Sequence, residues 1–112
     1  MSIFQKIIDR EIPATIVFEN ENILAFEDIN AQAAIHIIFI HKKQTKNINE
    51  LSSEHPEQLS QVFSAISEYT RSEGLEKKGF RVVTNLGENA GQTVFHTHFH
   101  LLSGERLGRF GS

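Results

Sequence analysis

The feature that most constrains this chain is the alternation Phe95-His96-Thr97-His98-Phe99-His100-Leu101-Leu102. Side chains at i, i+2 and i+4 of a β-strand share one face, and each such step advances about 6.6–7 Å. The pattern predicts a strand that raises His96, His98 and His100 as a ridge and turns Thr97, Phe99 and Leu101 into a core. Half of the six histidines of the chain fall within this stretch. Each imidazole carries polar nitrogens that need partners, so a plain core strand has no use for three in alternation. The fold must bury one side of this strand and place chemistry on the other.

The remaining elements supply what such a strand needs. Ser2-Ile3-Phe4-Gln5 has the form of a capping box, and Ile3, Phe4, Ile7 and Ile8 follow at helical spacing, which predicts a short helix over 3–9. β-branched and aromatic residues over 15–19 and 23–28, separated by Asn20-Glu21-Asn22, predict a hairpin. His36 to His41 reads as a third strand, central because both of its faces are bulky. Residues 44–55 read as polar connection. Pro56, the stripe Leu59, Val62, Phe63, Ile66 and Tyr69, and Gly74 as C-cap predict a long helix over 56–73. A fourth strand follows over 79–85, then a glycine-bearing loop, a fifth strand over 93–102, and a polar tail with Gly104, Gly108 and Gly111. The sum is an α+β fold, one domain over 1–112, with a five-stranded, largely antiparallel sheet and one long and one short helix. The long helix covers one face; the other carries the histidines and is in part a ligand cleft.

Composition narrows the chemistry. Eleven Lys and Arg against 14 Asp and Glu give a net charge of -3, which argues against nonspecific binding to duplex nucleic acid. With no cysteine, disulfides, thiolate catalysis and cysteine zinc sites are excluded. No apolar run approaches the roughly 20 residues of a membrane span, and the first residues lack the layout of a signal peptide. The expectation is a cytoplasmic protein without a membrane partner.

Two chemical readings of the ridge stay open on the residues alone. Two of its histidines, with His36 as a third ligand, can bind zinc; all three cannot easily reach one ion, because the first and last stand about 13–14 Å apart. Alternatively, a neutral imidazole whose other nitrogen is held by an acceptor can attack phosphorus, while its neighbours donate to phosphate oxygens or relay protons. The loop Asn85-Leu86-Gly87-Glu88-Asn89-Ala90-Gly91-Gln92-Thr93 favours the second. Gly91 lets the backbone approach a ligand, neighbouring N–H groups suit phosphate, and Thr93 offers a hydroxyl. Asp28, at the end of the second strand, can hold two ribose hydroxyls. Ile29, Phe26, Ile7 and Phe4 can wall an aromatic base. His41 and His55 are given no role, and Lys42 and Lys43 read as solvated.

His96-Thr97-His98-Phe99-His100-Leu101-Leu102 resembles the His-φ-His-φ-His-φ-φ signature of the histidine triad (HIT) superfamily, with Thr97 in one φ position. Phe4 to Ile8, Glu11 to Ala14, Phe26-Glu27-Asp28-Ile29, Gln32 to His36 and Gly91 to His96 resemble, in order, segments of its Hint branch, the purine nucleoside phosphoramidases. The resemblance implies that His98 is the nucleophile, that His100 contacts phosphate, that His96 orients His98 and that His36 extends the relay. It implies that Asp28 binds ribose and Ile29 lines the base pocket. Asn85, Gly91, Gln92 and Thr93 would surround the phosphate, with Thr93, where many relatives carry Ser, near the leaving group. It implies no metal and no cofactor, a purine nucleotide substrate, and a homodimer built on the long helix and the fourth strand. Two other functions share the pocket: a purine nucleotide-binding regulatory or partner-binding dimer with vestigial activity, and a dinucleoside polyphosphate hydrolase.

Overall fold

The structure, a computed structural model, describes residues 2–109; Met1 and Phe110, Gly111 and Ser112, the ends of the predicted domain and the last glycine of its tail, lie outside the described residues. Five strands form one sheet: β1 (Ile16–Glu19), β2 (Ile23–Glu27), β3 (Ile35–His41), β4 (Phe80–Val83) and β5 (His98–Ser103). Their order is β1-β2-β3-β5-β4, and every neighbouring pair is antiparallel. The predicted α+β class and the central third strand are both found. β3 is buried along nearly its whole length because it has a partner on each side and a layer on each face.

Period two sorts the side chains into two cores. On one face Ile23, Ala25, Ile37, Phe39, Phe99 and Leu101 meet Val62, Ala65 and Ile66 of the long helix α3 (Pro56–Ser72). On the other, Leu24, Phe26, Ile38 and Ile40 meet Phe4 and Ile7 of the short helix α1 (Ile3–Ile8). His36, His98 and His100 share this second face, beside α1. The histidine face is thus partly roofed by α1 rather than left open.

Two helical segments go beyond the predicted pair. α2 (Ile48–Glu54) lies within the stretch read as polar connection. Asn47 caps it by accepting from the Glu50 N–H, and Leu51 anchors it in the interior. α4 (Leu75–Lys78) follows Gly74, whose φ of 71° is the left-handed turn expected after α3. A single 3₁₀ turn, Glu88–Ala90, lies in the glycine-bearing loop.

The fifth strand starts later than its alternation suggests, at His98 instead of residue 93. β3 ends at His41, and Ile40 opposite His98 is the last pair of that ladder. Upstream of it, the Thr97 N–H leaves the ladder for the Thr45 carbonyl at 2.8 Å. The buried hydroxyls of Thr45 and Thr97 meet at 2.6 Å. His96 therefore belongs to the loop that delivers β5, not to β5. Among the described residues no helix is long and apolar enough to cross a membrane.

Candidate active site

β3 and β5 lie side by side, which brings His36 onto the ridge. Its Nδ1 accepts the Gln32 backbone N–H at 2.9 Å, so Nδ1 is bare and Nε2 carries the proton. That Nε2–H faces His100 Nδ1 at 2.8 Å and Asp28 Oδ2 at 3.3 Å. His100 Nδ1 is thereby an acceptor, which leaves the His100 proton on Nε2, available as a donor. One backbone N–H thus sets the tautomer of two rings in succession.

His98 has the opposite tautomer. Its Nδ1 lies 2.7 Å from the His96 carbonyl, which can only accept, so Nδ1 holds the proton and Nε2 keeps its lone pair. The His98 and His100 rings meet edge to face with centroids 5.0 Å apart. The ridge therefore presents one lone pair and one N–H donor side by side. His96 does neither: its ring is 1% exposed, and its Nε2 faces the His41 carbonyl at 3.3 Å. It serves His98 through its backbone oxygen.

Burial keeps these rings neutral. It lowers His96 and His100 from 6.5 to about 4, with the neighbouring His98 and His36 adding to the effect at His100. Burial also lowers His98, against its bond to the His96 carbonyl and the charge of Asp28, and lowers His36 against the same carboxylate. At neutral pH the His98 lone pair is free of a proton.

One ligand atom from each of Asp28, His36 and His100 lies within 4.8 Å of the others, a spacing that could suit a metal ion. The His36 nitrogen facing this point is Nε2, which bears a proton. Freeing its lone pair would move the proton to Nδ1, directly against the Gln32 N–H. The donor set therefore fits a hydrogen-bonded relay better than a cation.

The other predicted residues take varied positions. Asp28 accepts the Asn30 N–H through Oδ1 at 2.8 Å and still has acceptor capacity beside His36. Phe4 sets its ring edge against His98 with centroids 4.9 Å apart, and packs with Ile7 and Phe26. Ile29 is 94% exposed and takes no part in that cluster. Gln92 is buried and braces the loop, accepting the Gly87 N–H and donating to the carbonyls of Lys46 and Val94. Gly91 holds φ 86°, a left-handed conformation that other residues adopt at a cost. Thr93 is exposed and Asn85 half-buried. His41, given no role from sequence, is buried, bonds Gln61 through its ring and supports His96 through its carbonyl. The Gln32 N–H was likewise invisible to a reading of side chains.

A neutral imidazole with its far nitrogen pinned to a carbonyl, flanked by a donor imidazole and a carboxylate, is an arrangement that can carry nucleophilic chemistry. The chain matches the HIT domain over residues 9–107 and belongs to that family. It is 38% identical over 107 residues to the purine nucleoside phosphoramidase of Escherichia coli K12, covering 96% of this chain and 90% of that one. It is 42% identical over 106 residues to an uncharacterized HIT-like protein of Helicobacter pylori, covering 95% and 99%. A HIT family hydrolase from Legionella pneumophila superposes with a TM-score of 0.93 at 39% identity over the full length of both chains.

Proposed function

We propose that this protein hydrolyses the P–N bond of purine nucleoside 5'-phosphoramidates, such as adenosine monophosphate linked to an amine, through a nucleotidyl-histidine intermediate. The observation that carries the reading is the His98 tautomer: Nδ1–H on the His96 carbonyl at 2.7 Å and a bare, neutral Nε2. The name of the Escherichia coli relative supports the substrate class.

In the first step His98 Nε2 forms a bond to the α-phosphorus, and the P–N bond breaks with its electron pair going to the leaving amine. The amine takes a proton from solvent, shuttled through the exposed Thr93 hydroxyl, while the neutral His36 and His100 rings keep theirs and hold the phosphate through their chain of hydrogen bonds. Positive charge builds on the His98 ring, and the His96 carbonyl dipole stabilises it. His100 Nε2–H donates to a phosphoryl oxygen. In the second step water attacks phosphorus and gives up a proton to solvent, replacing the one the amine took; the P–Nε2 bond breaks and its pair returns to His98, releasing the nucleoside monophosphate. Asp28 binds the ribose, Phe4, Ile7, Phe26 and Ile29 receive the base, and Asn85, Gly91 and Gln92 shape the phosphate loop.

The same proposal includes a homodimer. β4 is an edge strand, and Phe63 of α3 and Phe80 of β4 are 44% and 39% exposed, which supports a second copy joining along this side. The test is turnover of an adenosine 5'-phosphoramidate. Wild type releases adenosine monophosphate and amine, and His98→Ala loses this activity while retaining its circular dichroism spectrum. A His98→Ala protein working near the wild-type rate would overturn the proposal.

A further inference from the structure

We infer that Ser2 is a positioning residue for His98, acting through a hydroxyl bond to His96; this rests on the reading of His98 as the nucleophile. Ser2 caps α1, and its Oγ accepts the Gln5 N–H at 3.0 Å. The predicted capping box is only half formed, because the Gln5 side chain turns to Asp9 instead of returning to Ser2. The Ser2 hydroxyl proton is left to donate, and His96 Nδ1 lies 3.0 Å away. The far side of the ring fixes the same direction. His96 Nε2 faces the His41 carbonyl, so Nε2 holds the ring proton and Nδ1 is the acceptor. The order Gln5 N–H to Ser2 O–H to His96 Nδ1, then His96 Nε2–H to His41, has no alternative that keeps every bond.

The consequence reaches the nucleophile over a short path. His96 is almost wholly buried, so loss of the hydroxyl would strand its Nδ1 without a partner. The ring would then rotate or take up a proton, and either change would disturb the carbonyl of the same residue, which holds the His98 Nδ1–H at 2.7 Å. Phe4, two residues along α1, touches both rings, with centroids 5.8 Å from His96 and 4.9 Å from His98. The N-terminus of α1 is therefore pinned to the support of the reacting nitrogen.

Three substitutions separate positioning from capping. Ser2→Ala removes the cap and the donor. Ser2→Asp keeps a good cap but has no proton to give His96. Ser2→Thr keeps both. Capping alone requires Asp to match Thr, with only Ala impaired. Positioning requires Ala and Asp both to lose kcat about tenfold or more, with a much smaller change in KM, and Thr to restore it. Nitrogen-15 spectra of the imidazoles supply a readout independent of activity. Wild type shows His96 protonated at Nε2 and His98 at Nδ1, and Ser2→Asp adds a proton at His96 Nδ1 and a new step on the acid side of the pH profile. Wild-type kcat, pH profile and ring spectra in Ser2→Asp would overturn the inference. If the wild-type protein turned over no phosphoramidate, the nucleophile reading would fail alone. The ring spectra of Ser2→Ala would still decide whether Ser2 fixes the two tautomers: altered spectra support it, and unaltered spectra overturn it.

Discussion

Acidification below neutral pH should destabilise this protein through its buried histidines. His96 and His100 stand at about 4 in the native protein against 6.5 in a solvated chain. Above pH 6.5 both rings are neutral in both states, and their contribution to stability is constant. Between 6.5 and 4 the unfolded chain binds protons that the native state refuses, so the free energy of unfolding falls with pH; below 4 the native rings protonate as well and the loss levels off. The difference corresponds to at most about 3 kcal/mol for the almost wholly buried His96, and to less for the half-buried His100, where solvent screens part of it. Even the His96 share is a sizeable fraction of the stability of a small domain, about 5–15 kcal/mol. His36 and His98 shift in the same direction and add to the slope. Urea titrations at pH 7, 6, 5 and 4 measure it. Stability that stayed flat across this interval would show that the ridge is not buried neutral, and the tautomer argument would fail with it.

Two further outcomes follow from the same contacts. Gly104 holds φ 89°, and a Cβ there would stand 3.0 Å from the Ala34 Cβ, while Glu105 accepts the Ala34 N–H. Gly104→Ala should cost about 1–3 kcal/mol in thermal or urea unfolding, and should slow turnover by shifting the loop whose Gln32 N–H sets His36; unchanged stability and rate would contradict this. Excess chelator should leave turnover of a phosphoramidate intact, because His36 presents a proton, not a lone pair, toward Asp28 and His100; loss of activity restored by zinc would reverse the assignment.

Periodicity made the scaffold legible. The spacing of Leu59, Val62, Ile66 and Tyr69 marks α3 to within a residue, and the alternation in β3 and β5 assigns both faces of the sheet. Strand ends are another matter. The start of β5 depends on where β3 stops and on the Thr45–Thr97 contact, and neither has a local signal. α2 was legible in principle, since Asn47 and Glu50 form a capping pattern, but its single buried anchor, Leu51, leaves no apolar stripe to notice. At the site, the histidines announced themselves while their protonation did not. Each tautomer is set by a backbone group, the Gln32 N–H or the carbonyls of His41 and His96, and backbone groups are the same in every sequence. The Ser2 bond to His96 spans 94 residues and could be found only in three dimensions.

The most direct test of the central claim is capture of the intermediate. Wild-type protein mixed with an adenosine 5'-phosphoramidate, base-quenched within the first turnover, and mapped by peptide mass spectrometry under alkaline handling should carry one adenylyl group, base-stable and lost on acid treatment as phosphoramidate bonds to imidazole are, on His98. An adenylyl group on His96, His100 or His36, or first-turnover release of product with no adduct on any histidine, would contradict the account.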